Sequence, residues 1–240
     1  MTPVRNHLIE LLPELDRKRL LARCEPVPLV LAQVLCERGA PLEHVHFPLD
    51  SFISLVTHLD GHPGLEVGMI GREGVLGASL ALGMPAVPLQ AVVQGAGTAW
   101  RVSTCDFLVE LARSQALQHY LHRFLYVRMA QLATSAACLR FHLIKPRLAR
   151  WLLMSQDRAH ADHFRVTHEF LAYMLGVRRV GVTVAAGALQ RRGLILYHRG
   201  ELQVLDRAGL EASACTCYAT DCQSYTDTLG VPSFAARHLV

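Results

Sequence analysis

An α+β fold is predicted by three features of the chain. Between Val27 and Val102 apolar and polar residues alternate in short runs broken by Gly, Pro and Asp-Gly turns. From Asp106 to about Phe141 more than thirty residues pass without Gly or Pro, and Thr167 to Asp206 reads as helix, glycine, helix and hairpin. The expected order is an antiparallel β-roll or barrel, a long central helix and a C-terminal winged helix-turn-helix.

Residues 6–24 carry the pattern of one short amphipathic helix. The segments VPLVLAQVLCERG, HVHFPLDSFISLVTHLDGHPGLEVGMIG and LQAVVQGAGTAWRV then supply several short strands at the spacing of a barrel or roll. In the long helix Leu117, Leu121, Phe124, Leu125, Leu132 and Leu139 recur on one side at roughly heptad intervals. That face suits packing against its own domain, against a second copy of the chain, or both. A further helix is expected from Pro146 to His160, with Pro in the first turn and Arg147, Arg150 and Arg158 exposed around an apolar Leu148, Trp151 and Leu152 face.

The segment from Phe164 to Gly193 is the most informative. Thr167 is a good N-cap, and Phe170, Leu171, Met174 and Leu175 form one apolar face of a helix of about two turns. Gly176 ends that helix, because glycine accepts the left-handed conformation that a tight turn needs. A second helix follows with Arg178 and Arg179 in its first turn, small residues on its packing face and Gly193 at its close. Its size suits a DNA major groove. An ordinary helical hairpin is the plain alternative. Charge favours the DNA reading: residues 140–200 hold eleven Lys and Arg against three Asp and Glu, whereas the remainder holds thirteen against seventeen. Leu194 to Asp206 then forms two short strands around His198, Arg199 and Gly200, a wing whose tip could lie along phosphates.

Composition bounds the rest. The chain has 240 residues, 51% hydrophobic and 18% charged, so a sizeable core is assured and two modest domains are plausible. With no apolar run of membrane-spanning length and charges throughout the N-terminus, neither a membrane association nor a secretory signal is expected, and the protein is expected in the cytosol. Its seven cysteines fit reduced thiols better than a disulfide framework, with Cys24, Cys36, Cys105 and Cys138 in apolar surroundings. No zinc-protease, phosphate-loop, nucleophile-elbow or dinucleotide-binding pattern occurs, so no enzyme is expected. Cys215, Cys217 and Cys222 could ligate a soft metal or form a redox disulfide. A closed zinc site wants a fourth ligand, however, and C-x-C-x4-C matches no common zinc spacing, so no metal is assigned. His44, His46, His58 and His62 cluster near the strands and read as surface or turn histidines.

The HVHFP strand, the VGMIGREGVLG turn, the KPRLARWLL helix entry and THEFLAYMLGVRRVGVTVAAGALQRRGLI with its wing, in this order and spacing, resemble the Crp/Fnr superfamily of bacterial transcription regulators. The likeness covers roughly residues 10–210. It implies a cyclic-nucleotide-binding-like roll over 1–107, a dimerisation helix over 108–143, a winged helix-turn-helix over 144–212 and a cysteine-containing tail over 213–240. It implies a homodimer joined through Leu117, Leu121, Phe124, Leu125 and Leu132, a palindromic double-stranded DNA operator, and RNA polymerase as a partner. The DNA-contacting candidates are Thr167, His168, Arg178, Arg179, Val180, Thr183, His198 and Arg199. Arg179 matches the family's principal base-contacting arginine, and Thr167 and His168 match phosphate contacts. Val180 stands where the cyclic-AMP-responsive members carry a base-reading glutamate, so the implied DNA preference differs from theirs.

By the same resemblance the effector pocket would involve Gly71, Arg72, Glu73, Leu89 and Gln90. The ribose-binding glutamate is displaced by one place to Glu73, and the Arg-Ser or Arg-Thr pair that holds the cyclic phosphate is replaced by Leu89 and Gln90. Cyclic AMP is therefore not expected to bind in the usual manner, since a buried phosphate without its guanidinium is poorly compensated. The effector is unknown and no cofactor is assigned. The iron-sulfur pattern of the oxygen-sensing members is absent, because only Cys24 and Cys36 precede residue 100. The alternative function is a small-molecule or redox sensor acting through protein contacts.

Overall fold

The computed structural model describes residues 5–61, 64–159 and 161–230; His62, His160 and the last ten residues of the tail lie outside them. The chain forms two compact units, residues 1–55 with 69–129 and residues 56–68 with 130–240. The cuts fall within a strand hairpin and within the long helix, and so differ from the linear division expected from sequence.

In the first unit, two helices replace the single N-terminal one. Helix α1 (His7–Glu10) and helix α2 (Glu14–Leu21) are separated at Pro13. Asn6 caps α1, its Oδ1 accepting from Leu8 N and Ile9 N, while its Nδ2 donates to Pro48 O and Gly74 O. The strand-rich region is as expected. Strands β1 (Glu25–Leu29), β7 (Gly97–Ser103) and β3 (His44–Pro48) make one sheet in the order β1-β7-β3, antiparallel throughout. Strands β2 (Val34–Cys36), β6 (Gln90–Gly95), β4 (Phe52–Thr57) and β5 (Leu65–Ile70) make a second, in the order β2-β6-β4-β5. Phe47, Phe52, Ile53, Met69 and Phe107 are almost fully buried in their core. After the turn at 71–74 the chain reverses at Gly77, with φ +116° and a position where a Cβ would come within 2.8 Å of Leu42 and Val45. Only glycine satisfies both conditions.

The unbroken helix expected from Asp106 is two helices. Helix α3 (Thr104–Arg113) and helix α4 (Gln115–Phe141) are divided at Ser114. The Ser114 hydroxyl accepts from Leu117 N at 3.0 Å and donates to Asp16 at 2.6 Å. It serves as the cap of α4, a break that needs neither Gly nor Pro. Leu117, Leu121 and Phe124 are 1–3% exposed, buried within this unit rather than presented to a partner. Leu125 is half-buried and Leu132 exposed. The outward apolar stripe joins Leu132 and Leu139 of the expected face with Tyr126 and Met129. Heptad spacing alone could not distinguish the inner face from the outer.

The second unit contains helix α5 (Ile144–Ala159), strand β8 (His163–Arg165), helices α6 (His168–Leu175) and α7 (Arg179–Arg191), strands β9 (Ile195–His198) and β10 (Glu201–Val204), and helices α8 (Arg207–Ser213) and α9 (Cys217–Leu229). The wing is a three-stranded sheet, β8-β10-β9; its hairpin was expected and β8 was not. Helix α5 differs most from expectation. Arg150 and Arg158 are 8% and 4% exposed, and Arg147 is half-buried. Arg150 pairs with Asp221 of α9 at 2.5 Å, Arg158 donates to Met154 O, and Arg147 donates to Leu175 O. Asp157 of the same helix is held by Arg207 at 2.8 Å and by the Tyr218 hydroxyl at 2.8 Å. Because α6, α7, α8 and α9 all pack on α5, its polar side must be satisfied internally. No single helix among the described residues is long and apolar enough to cross a membrane.

Candidate nucleic-acid interface

The helix pair is built from local chemistry. Thr167 caps α6 by accepting from Phe170 N at 3.1 Å, which leaves its hydroxyl hydrogen to be donated outward. At the other end Gly176 has φ +61°, and a Cβ there would lie 2.8 Å from Leu65. Val177 N closes the last turn on Ala172 O at 3.0 Å. The two helices meet at 109°, within the range of a DNA-binding helix-turn-helix. Val182, Ala185, Ala186 and Leu189 of α7 are buried. The opposite face is therefore fixed as Arg179, Val180, Thr183, Val184 and Gln190, all exposed, with Arg178 exposed at the N-cap.

The sequence-derived candidates fall into two groups. Arg178, Arg179, Val180 and Thr183 share the first two turns of the exposed face of α7. His198 and Arg199 are exposed at the wing tip, where β9 and β10 are joined through Arg199 and Gly200, both at positive φ, +50° and +85°. His168 is different, because its ring does not face solvent. It stacks on Tyr197, its Nδ1 is 3.0 Å from Thr183 Oγ1, and its Nε2 is buried without a partner among the described residues. The Thr183 hydroxyl gives its own hydrogen to Arg179 O at 3.1 Å and so accepts from His168 Nδ1–H. Burial, and secondarily the Arg179 charge, lower the pKa of His168. The His168 side chain thus joins α6, α7 and the wing.

Three contributors escaped the sequence reading. Tyr197 supplies the stacking platform, and its hydroxyl donates to Val166 O at 3.0 Å. Val184 extends the apolar part of the exposed α7 face. Arg147 satisfies the terminal carbonyl of α6. The i, i+4 spacing of Val180 and Val184 was the one available signal, since two valines on the solvent side of a helix need a reason to be there.

The residues expected to line an effector pocket occupy two separate stretches. Gly71 to Gly74 is a buried turn in which the Glu73 carboxylate accepts from Gly71 N at 3.0 and 3.1 Å. His7 N donates to Arg72 O at 2.7 Å, tying the turn to α1. Leu89 and Gln90 are half-buried at the start of β6, and Gln90 donates to the Glu37 carboxylate at 2.9 Å. Of the four histidines noted in the sequence, His46 is buried in β3 beside His44, and His58 bonds the Tyr173 hydroxyl at 3.1 Å.

Comparison with known proteins agrees with this geometry. Residues 146–213 match the Crp-like helix-turn-helix domain. No curated protein sequence matches significantly. Solved structures match over most of their length. One, from Eubacterium rectale and assigned as a transcriptional regulator of the Crp/Fnr family, is 15% identical with a TM-score of 0.64, covering 86% of this chain and 96% of that one. The Xanthomonas campestris protein CLP, described as a c-di-GMP-responsive global regulator, is 16% identical with a TM-score of 0.63 and coverages of 80% and 99%. A transcriptional regulator of the CRP family from Thermus thermophilus is 19% identical, TM-score 0.63, with coverages of 78% and 96%. Residues 146–213 are a Crp-like helix-turn-helix domain, carried by a chain with the fold of the Crp/Fnr transcription regulators.

Proposed function

We propose that the protein is a homodimeric, sequence-specific DNA-binding transcription regulator whose α7 enters the major groove while the wing lies along the phosphate backbone. The observation that carries this reading is the exposed row Arg178, Arg179, Val180, Thr183 and Val184, held at the front of a 109° helix pair by a glycine turn. A guanidinium from Arg179 bidentate to guanine contributes about 1–3 kcal/mol of discrimination. Selection from a randomised duplex library, followed by anisotropy titration at several salt concentrations, tests it. Arg179→Ala is expected to abolish preference for the selected sequence and to retain weak, salt-sensitive binding. Unchanged affinity and specificity in that variant would remove Arg179 from the interface.

The outward stripe of α4 supports self-association. Met129 is 61% and Tyr126 57% exposed, although both are large and apolar. Two such helices packed together would set paired half-sites about one helical turn apart on a palindromic operator. Sedimentation equilibrium should give a dimer, and a double Met129→Glu, Leu132→Glu variant a monomer. Contact with RNA polymerase and a place beside the chromosome in the cytoplasm accompany this reading.

For the roll, the reading is a regulator that does not take cyclic AMP in the usual way. Leu89 stands where a phosphate-binding arginine would, the adjacent Gln90 is engaged by the Glu37 carboxylate, and a cyclic phosphate there would face a like charge. Calorimetric titration is expected to show no micromolar binding of cyclic AMP.

A further inference from the structure

Three thiols and an imidazole from two separate segments converge in the second unit. Cys138 lies in the last turn of α4, and His142 follows it by four residues, with His142 N still donating to Cys138 O at 3.1 Å. Cys215 and Cys217 flank the junction between α8 and α9. The three sulfurs and a ring nitrogen of His142 all lie within 4.8 Å of one another. Cys138 Sγ is 3.6 Å from Cys215 Sγ, and Cys217 Sγ is 3.5 Å from His142 Nδ1. Cys138, Cys215 and Cys217 are only 2%, 8% and 7% exposed. Cys222, the third cysteine of the C-x-C-x4-C run, is not in the group.

We propose that Cys138, His142, Cys215 and Cys217 form a closed, tetrahedral Cys3His site for a soft divalent cation of the zinc type. Bonds of about 2.3 Å to sulfur and about 2.0–2.1 Å to nitrogen give tetrahedral edges of about 3.5–3.8 Å. Two of the ligand pairs, Cys138 with Cys215 and Cys217 with His142, already have that separation. Four protein ligands leave no open position for water, which makes the site structural rather than catalytic. The absence of a recognisable zinc spacing in the sequence is explained by the split between a helix end at 138–142 and a loop some seventy residues later. The C-terminal run supplies two ligands, and the end of α4 with the residue after it supplies the other two.

The surroundings suit such a centre. Three thiolates and one divalent cation carry a net negative charge, and the buried Arg150 guanidinium couples electrostatically to both Cys138 and Cys215. Arg147 also couples to those two sulfurs. Arg150 is fixed by Asp221 and Ser135, so the compensating charge is itself held in place. The cation would join the end of α4 to the start of α9, clamping the helix-turn-helix domain at a point remote from α7.

The test is metal analysis of the full-length protein purified under reducing conditions, followed by cobalt substitution after chelation. The expected result is one zinc per chain, and on cobalt addition the intense visible bands and sulfur-to-cobalt charge transfer of a tetrahedral thiolate site. Cys138→Ser, His142→Ala and Cys217→Ser should each lose the metal, while Cys222→Ser and Cys36→Ser keep it in full. The wild-type cobalt spectrum does not depend on whether any variant folds. Reduced, folded wild-type protein that takes up neither zinc nor cobalt would overturn the proposal. So would iron with inorganic sulfide in place of zinc, a metal-free Cys138–Cys215 disulfide, or equal loss of metal in Cys222→Ser.

Discussion

The imidazole of His168, in the first turn of α6, lies flat on the ring of Tyr197 in β9, with centroids 4.4 Å apart and planes inclined by 13°. The same imidazole holds the Thr183 hydroxyl of α7 at 3.0 Å. One side chain therefore registers the wing against both helices of the motif. An aromatic pair of this kind contributes about 0.5–1.5 kcal/mol beyond its buried area. Tyr197→Ala should lower the unfolding midpoint by several degrees and weaken binding to the selected duplex, because Thr183 and the wing lose their common anchor. Tyr197→Phe keeps the stack and removes only the bond to Val166 O, so its loss should be about 1 kcal/mol or less. Equal effects from the two variants in thermal melts would show that the stack contributes nothing.

Arg199 has φ +50° beside Gly200 at +85°, the two positive values of a type I′ hairpin turn. An arginine there costs about 1 kcal/mol or more relative to glycine, and no described contact repays it within the chain. A phosphate would. Arg199→Gly should raise the melting midpoint and at the same time weaken DNA binding, with the slope of log affinity against log salt falling by about one. A variant that is more stable and binds DNA as well as the parent would leave the tip arginine without a role.

Much of the interface was legible in the sequence because its determinants are local. Thr167 and Gly176 act within a turn of their own positions, and Arg179 lies just past the glycine. Contacts distant in sequence were not legible. Arg147, Arg150 and Arg158 read as an exposed basic face, but the acid that neutralises Arg150 lies 71 positions away at Asp221. Part of the local positive charge is thus internal, while Arg178, Arg179, Arg191 and Arg199 are exposed. The helix break at Ser114 was hidden for the same reason, since the residue that anchors its hydroxyl is Asp16. His168 matched a phosphate contact by position, and only the wing folding over it turned the ring inward.

His46 in β3 is 6% exposed, and burial, reinforced by the neighbouring His44 and Arg101, pushes its pKa down to about 4. A histidine with a depressed pKa stays neutral in the folded state while the unfolded chain takes up a proton. Stability from this group is therefore fully present above about pH 6.5, falls as pH drops towards about 4, and is level below that. At 1.36 kcal/mol per unit the loss across that window is about 3 kcal/mol. Urea unfolding at a series of pH values should show the decline, and His46→Leu should flatten it between pH 6.5 and 4. A variant with the same slope as the parent would assign the decline to other histidines. Burial, with the Arg179 charge, lowers His168 in the same sense, so acid should loosen the interface as well as the roll.

Val180 and Val184 are each 65% exposed on the face of α7 that also carries Arg179. An apolar side chain on a recognition helix can distinguish thymine by its C5-methyl group, the one apolar feature of the major groove. A buried methyl is worth about 0.8 kcal/mol, or about a fourfold change in affinity. The selected operator should therefore carry thymine at the positions next to the guanine read by Arg179. Replacing that thymine by uracil removes only the methyl group and should weaken wild-type binding by that factor. The same replacement should have little effect on the Val180→Ala, Val184→Ala double variant, because the surface that contacts the methyl has been cut back. Wild-type protein that binds uracil-substituted and thymine-containing duplexes equally would mean that the valines face the groove without reading it, leaving specificity to Arg179 and to the shape of the DNA.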